Sequence, residues 1–508
     1  MDNKTLLAIV LSVMVIIGYQ YLMPQPPPPQ PKQQAVKEAA KSEGQAVPVQ
    51  APAAVASASS EEKDITVENG LYKAVLTTKG GSIKYWEIKS FKDKIGGKDV
   101  ILLKKSGILP AMGMGSNSSF DLAYADFSVT GGDLKLDDKN SSGSVVFEYS
   151  KDGKYVKRTY TFHADTYKVD LSDEVSGLPE YWISLGSDFG IFDHDASYAH
   201  VGPVLLKGTD LEELKLKKPT DIETFKDGLR WIAQEDKYFF SAMVPSTPVE
   251  EARAWTYKDS KVIAFKGKTD LNRFQLYAGP KDHDALEKLN LGLEHIINFG
   301  FFSIIARPLF WFLKFLHRFL GNYALAIIIL TVVVRIPFIP LVNKGQKSMK
   351  RLQELQPKMN EIKEKYKKDP QKMQAEMMEL YKKHKVNPMG GCLPMVMQIP
   401  VFFALYKVLL VSIELRGAPF MLWITDLSTK DPYYVLPIIM GITMVIQQKM
   451  TPSTMDPKQA KMMMLMPVVF TFMFLNFASG LVLYWLVNNL LSITQQFVVN
   501  SKLAKKPS

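Results

Sequence analysis

The chain has 508 residues, room for more than one domain, and a formal net charge of +11. Its mean hydropathy of −0.03 averages polar stretches against almost purely apolar runs. The basic residues cluster beside those runs, a pattern of membrane topology rather than nucleic-acid binding, so no DNA partner is expected. The lone cysteine, Cys392, excludes an intramolecular disulfide and a Cys-based metal site.

Residues 1–23 carry an apolar run behind a short polar start. The small-residue site Ala56-Ser57-Ala58 lies too far beyond it for normal signal cleavage, so the run reads as a retained transmembrane signal anchor. Residues 24–63 form a Pro-rich linker that lacks the aromatic and branched side chains of a core, and disorder is expected there.

From 64 to 285 the hydrophobic period falls to two, as in Ile83-Lys84-Tyr85-Trp86-Glu87-Ile88, with Gly-containing turns at 79–82 and 151–154. This predicts a large antiparallel β-sandwich outside the cytoplasm. Asp193-His194-Asp195 with His200 is its densest group of possible metal ligands, and it reads as a solvated loop. No His-Glu-x-x-His, Gly-x-Ser-x-Gly or phosphate-loop motif occurs. A binding or spacing role is expected rather than catalysis, without metal or other cofactor.

Residues 298–320 are crowded with Phe, Ile and Leu, yet carry Arg307, Lys314 and Arg318 at helical offsets of zero, seven and eleven. One cationic stripe on an apolar helix suits the headgroup plane, so an interfacial helix is expected rather than a further span.

Five apolar segments follow, at 321–343, 393–413, 433–449, 462–479 and 481–499. With the anchor they make six spans. Placing the basic loops and the basic tail 500–508 in the cytoplasm puts both termini inside and the β domain outside. The segment 433–446 and both halves of the last hairpin, split at Ala478-Ser479-Gly480, are short for a bilayer, which thins the lipid around them. The Met-rich run 462–466 suits varied apolar partners, or simply fills a core.

Within the first of these five segments sits Arg335, roughly 13 Å along a helix from the polar flank at Lys344. A lipid-facing arginine there costs about 3 kcal/mol or more. None of the other apolar segments holds an Asp or Glu to pair with it. Two readings stand equal: a wet cavity that attracts an anionic group, or a structural Arg bonded to carbonyls or lipid phosphate. Thr331, Gln398, Asn476, Asn488, Asn489, Thr494 and Gln495 fit either a wet groove or hydrogen bonds between helices.

Residues 344–392 repeat apolar side chains at threes and fours, broken by Asp369-Pro370, which predicts two antiparallel amphipathic helices. Pro357 should be exposed or make a kink. Lys347, Lys350 and Arg351 open a basic face suited to anionic lipids or ribosomal RNA, or to plain solvation.

The combination of Ile-Leu-Thr-Val-Val-Val-Arg-Ile-Pro around Arg335, Asn387-Pro388-Met389-Gly390-Gly391-Cys392-Leu393-Pro394, Gln398-Ile399-Pro400, Pro432-Tyr433-Tyr434 and Ser479-Gly480-Leu481-Val482-Leu483-Tyr484-Trp485 resembles the YidC-type membrane protein insertases of Gram-negative inner membranes. These are relatives of mitochondrial and chloroplast insertases. The resemblance implies a five-helix insertase core, a periplasmic β-supersandwich, and a hydrophilic groove open to cytoplasm and lipid around an arginine matching Arg335. Thr331 and Tyr484 match groove-lining positions. Trp485 departs from the family's Tyr-Tyr pair, keeping the ring and losing the hydroxyl. With Gln398, Asn488 and Gln495 these make the expected substrate groove, and Gly390 and Gly391 belong with the basic hairpin. Nascent membrane proteins are the implied clients, with Sec translocon components and the ribosome or signal-recognition machinery as partners. An insertase and chaperone, not an enzyme, is expected. The rivals are a small-solute transporter or channel, and an envelope enzyme acting on glycans.

Overall fold

The protein is described by a computed structural model over residues 62–504, apart from 94–95, 105–106, 195–198, 217, 385, 387–392 and 452–456. The expected anchor, nearly all of the linker, Asp195, Gly390, Gly391 and the last four residues of the tail lie outside the described residues.

Strands between Asp64 and Pro280 form three sheets of five, nine and five strands. In Lys154–His163 every second residue points inward, and Val156, Tyr160 and Phe162 are fully buried there. Alternation of this kind makes one sheet face apolar, and packing two such faces together builds the core. The inward position Arg158 is also fully buried. It donates from Nε and Nη2 to the two carboxylate oxygens of Asp173 at 2.8 and 2.7 Å, so its charge is answered inside the core. The sandwich is not antiparallel throughout. The edge strand Asp64–Glu68 pairs in parallel with Leu134–Lys135.

Part of the nine-stranded sheet is covered on both faces. In Leu229–Glu235, Ile232 joins the sandwich core, while Trp231 and Ala233 face helices that follow the sheet. Phe239 and Phe240 divide the same way. Such doubly buried strands read as unbroken apolar runs.

Helix α1 (His283–Lys288), capped by the Asp282 side chain, leads through two short 3-10 turns to α2 (Ser303–Leu320). Helix α2 buries Ala306, Phe310 and Leu313 and exposes Ile304, Trp311 and Phe319. Gly321 ends it in the left-handed conformation at φ 65°. Asn322 then caps α3 (Tyr323–Arg335) by accepting from the Leu325 N–H.

Sequence polarity places a span boundary near residue 343, but the helix does not stop there. After a 3-10 turn at Ile336–Phe338, where Pro337 removes an N–H, it continues as α4 (Ile339–Glu354). The expected two-helix hairpin is built from three pieces: the end of α4, α5 (Gln356–Lys365) and α6 (Pro370–Lys383). The break falls at Leu355, two residues before Pro357. Leu352, Leu355, Met359 and Val386 are buried together, with Met377, Leu380 and Tyr381 packed against them.

Four more α-helices follow among the described residues: α7 (Leu393–Val411), α8 (Val435–Met450), α9 (Pro457–Phe474) and α10 (Ser479–Ala504). The last is not short. At ~1.5 Å per residue its 26 residues extend to about 39 Å. The break before it lies at 475–478, where Ser479 N donates to Thr429 O at 2.7 Å and Gly480 N to Leu427 O at 2.9 Å. By length and composition, two helical runs among the described residues can cross a membrane, Tyr323–Glu354 and Ser479–Ser501. Shorter apolar helices are Gln398–Val411, Val435–Met450 and Met463–Phe474.

The loop between α7 and α8 fastens the sandwich to the bundle. Ile413 is buried in the sandwich core cluster. Arg416 Nη2 donates to Lys92 O at 2.7 Å and Asp93 O at 3.3 Å. Its guanidinium carbon sits 5.5–5.6 Å from the rings of Phe192, Tyr238 and Phe239.

Candidate functional site

Arg335 ends α3 and reaches across to α10. Its Nη1 donates to Asn488 Oδ1 at 2.6 Å and to Asn488 O at 3.1 Å. Its Nη2 donates to Ser492 Oγ at 2.8 Å and Gln495 Oε1 at 3.3 Å. Asn488, Ser492 and Gln495 stand at i, i+4 and i+7, so one face of a regular helix presents all three oxygens. From α7, Gln398 Nε2 donates to the same Asn488 Oδ1 at 2.9 Å. Gln495 turns its amide nitrogen to Asn343 Oδ1 at 2.9 Å and Ile339 O at 3.2 Å on α4.

These acceptors of the guanidinium are all neutral. Among the described residues no carboxylate pairs with Arg335, and its Nε is buried without a protein acceptor. Beside it lies a cavity of about 20 Å³, lined by Thr331, Phe338, Gln398, Tyr484 and Asn488 among others. That volume holds a water or so, and it is far from an open channel.

Thr331 borders this cavity but donates its hydroxyl back to Ile327 O at 2.6 Å, so it brings a methyl and an already committed oxygen. Tyr484 lines the cavity. Trp485 does not: its ring packs 4.8 Å from Phe402 and 5.1 Å from Phe474, in an apolar seam between α7, α9 and α10. Neighbouring helix residues point about 100° apart, so both cannot face one pocket. Asn489 turns instead to Thr443 Oγ1 at 3.2 Å on α8, and Thr494 back-bonds to Leu490 O at 2.8 Å. Ser492 and Asn343 were missed by sequence reasoning. Their signal was the spacing of Ser492 from Asn488 and Gln495, and the approach of Asn343 through a helix that runs on past its apolar part.

The cations of α2 do not form one free stripe. Arg307 and Arg318 are exposed, whereas Lys314 pairs with Asp284 at 2.7 Å and approaches Glu414 at 3.6 Å. Burial pushes the Glu414 carboxyl above its ordinary range. On the hairpin Lys347 and Arg351 are exposed and Lys350 is half-buried, all apart from the Arg335 site. Asp193 and His194 are exposed, as a solvated loop requires, whereas His200 is half-buried, with Nε2 3.1 Å from Pro203 O and its pKa lowered by burial. Among the described residues, the group whose ligand atoms do converge, within 4.8 Å, is His283, Asp284 and Glu287 on α1, and Asp284 is already engaged by Lys314.

Residues 64–312 match the profile of the YidC periplasmic domain, and 315–506 that of the 60Kd inner membrane protein family. The chain is 41% identical over 531 residues to a protein of Geotalea daltonii named membrane protein insertase YidC, covering 99% of this chain and all of that protein. A protein of the same name from Syntrophus aciditrophicus is 41% identical over 547 residues, with 99% and 100% covered. Among solved structures the chain is similar to an active YidC insertase crystal structure with its first transmembrane domain resolved. That likeness has 20% identity and a TM-score of 0.39, over 86% of this chain and 92% of the other.

Proposed function

The chain belongs to the YidC family of membrane protein insertases, and from that premise we propose that Arg335 is the transient anion partner for the segments it inserts. The protein inserts nascent membrane proteins and resides in the inner membrane with a periplasmic domain. The observation that carries the proposal is the set of neutral acceptors around the guanidinium. A carboxylate makes stronger, charge-assisted bonds to a guanidinium than an amide or hydroxyl does. An acidic or polar tail entering from the cytoplasm therefore displaces Asn488, Ser492 or Gln495 and finds a partner partway across. That lowers the several-kcal/mol cost of desolvating it. With room for about one water, the site must open as the tail arrives, by parting α10 from α3 and α4. The client's apolar helix then leaves into lipid along α7 and the final hairpin, driven by hydrophobic transfer.

The same reading has six spans, the anchor plus five from α3/α4, α7, α8, α9 and α10, with both termini in the cytoplasm. The hairpin and tail face ribosome or signal-recognition machinery and anionic lipid, and the Sec translocon is a lateral partner. The relatives carry the name of an insertase, and no observation favours a solute transporter or a glycan enzyme. In proteoliposomes, Arg335→Ala should slow insertion of clients with acidic tails by roughly tenfold or more, a loss of about 1.4 kcal/mol or more, and neutral-tailed clients far less. Equal insertion of the two classes by the variant would refute the role.

A further inference from the structure

The sandwich and the outer end of the bundle line a second, larger cleft of about 320 Å³, half open to its surroundings and within the range of sites that hold small molecules. Three cations stand on its wall: Lys237 from the sandwich, and Arg416 and Lys430 from the α7–α8 loop. Asp193 is the one carboxylate there among the described residues. Arg416 is fixed by backbone carbonyls and rings, and none of these neutralises its charge. The Lys237 ammonium lies 4.7 Å from the Tyr238 ring and that of Lys430 5.8 Å from Tyr434, and neither forms an ion pair among the described residues. Cations held between low-dielectric walls concentrate anions. The floor is different in kind, with Leu409 and Leu481 at the ends of α7 and α10. A ligand matching both must be anionic at one end and apolar at the other.

The neighbouring loop tip shows which amphiphile is at hand. Phe420 N closes a turn onto Ile424 O at 2.9 Å, and the tip presents Met421 and Leu422, 56% and 80% exposed. Leu422 adopts φ 54°, a conformation that costs a side-chain-bearing residue about 1–2 kcal/mol. Apolar side chains displayed on a strained turn belong at the level of lipid.

We propose that this cavity seats the phosphate headgroup of an anionic glycerophospholipid from the leaflet on the sandwich side. Lys237, Arg416 and Lys430 surround the phosphate, and the acyl chains leave past Leu409 and Leu481. The lipid then bridges the two halves of the molecule, since Lys237 and Lys430 belong to different ones. The site rests on the bundle spanning a membrane, but not on Arg335 or on insertion.

The test is calorimetric titration of the full chain, in a neutral detergent, with dihexanoyl phosphatidylglycerol, dihexanoyl phosphatidylcholine and inorganic phosphate. Phosphatidylglycerol should bind at least about tenfold more tightly than either of the others. The pair Lys237→Gln and Lys430→Gln should remove about tenfold of that affinity, with melting temperature unchanged. Lys237→Arg with Lys430→Arg should restore it, and the turn variants Lys139→Gln with Lys151→Gln should leave it intact. Equal binding of phosphatidylcholine overturns the proposal. So does displacement of the lipid by equimolar phosphate, which would make the site a bare anion site, or a loss matched by the turn variants. Detergent binding is read without insertion, so this can fail while the role of Arg335 stands, and the reverse.

Discussion

Asn488 answers two donors with one oxygen, since its Oδ1 accepts from Arg335 at 2.6 Å and from Gln398 at 2.9 Å. An acid at this position would give Arg335 a permanent partner. Asn488→Asp should therefore leave the protein folded and close the arginine to clients, so that insertion of acidic-tailed proteins falls as far as in Arg335→Ala. Asn488→Leu should take the shared side-chain acceptor from both donors, leaving Arg335 Nη1 only the backbone carbonyl of residue 488, and destabilise the bundle by about 1–3 kcal/mol, read from the midpoint of denaturant unfolding in detergent micelles. Most of this site was legible in the sequence because Arg335, Gln398, Asn488 and Gln495 are polar within apolar runs. Ser492 was not, since a serine in a membrane helix is ordinary and only its partner makes it informative. Trp485 was placed beside Tyr484 because the two match the family's Tyr-Tyr pair, and helix geometry sends their rings to different surfaces.

Helices were legible where the apolar period was clean, and their ends where Gly321, Asn322 or Asp369 supplied a cap. The continuation of α3 into α4 was hidden by a change in polarity. Polarity reports the surroundings of a segment, and the backbone hydrogen bonds of a helix are indifferent to it, so the boundary at 343 is one of environment alone. The last helix was underestimated for a related reason, because it begins two residues before 481 and runs five residues past 499 into the basic tail. In the hairpin, Leu352 is 3% exposed and holds α4 against Met359 and Val386. Leu352→Ala should cost about 2–4 kcal/mol locally. Hydrogen exchange would then show lost protection over α5 and α6 with the protection of α8 and α10 unchanged.

At the level of the whole molecule, a β domain was readable from period two, but its docking was not. Trp231, Ile232 and Ala233 look like one apolar run because each face of their strand meets a different layer, sandwich on one side and helices on the other. Arg416, in a mixed loop, looks like a solvated cation until Phe192, Tyr238 and Phe239 enclose it. Arg416→Ala should loosen that joint. Protease nicking near Lys92 and Gly417 should rise several-fold in the full chain, while the sandwich keeps its own melting temperature. Arg416→Lys should not restore it, because an ammonium lacks the planar fork that meets two carbonyls and stacks on rings. Unchanged nicking in both variants would mean that Ile413 and the sheet face hold the halves together without the clasp.

The helical run from Tyr323 to Glu354, interrupted only by its 3-10 turn, has a mechanical consequence. It makes a crank: the C-terminal arm carries the basic hairpin, the shaft carries the guanidinium, and a torque applied to the arm turns the shaft. The slack in this linkage is the tight turn at Ile336–Phe338, one residue beyond the arginine, so a body that grips the arm can steer the charge without ever touching it.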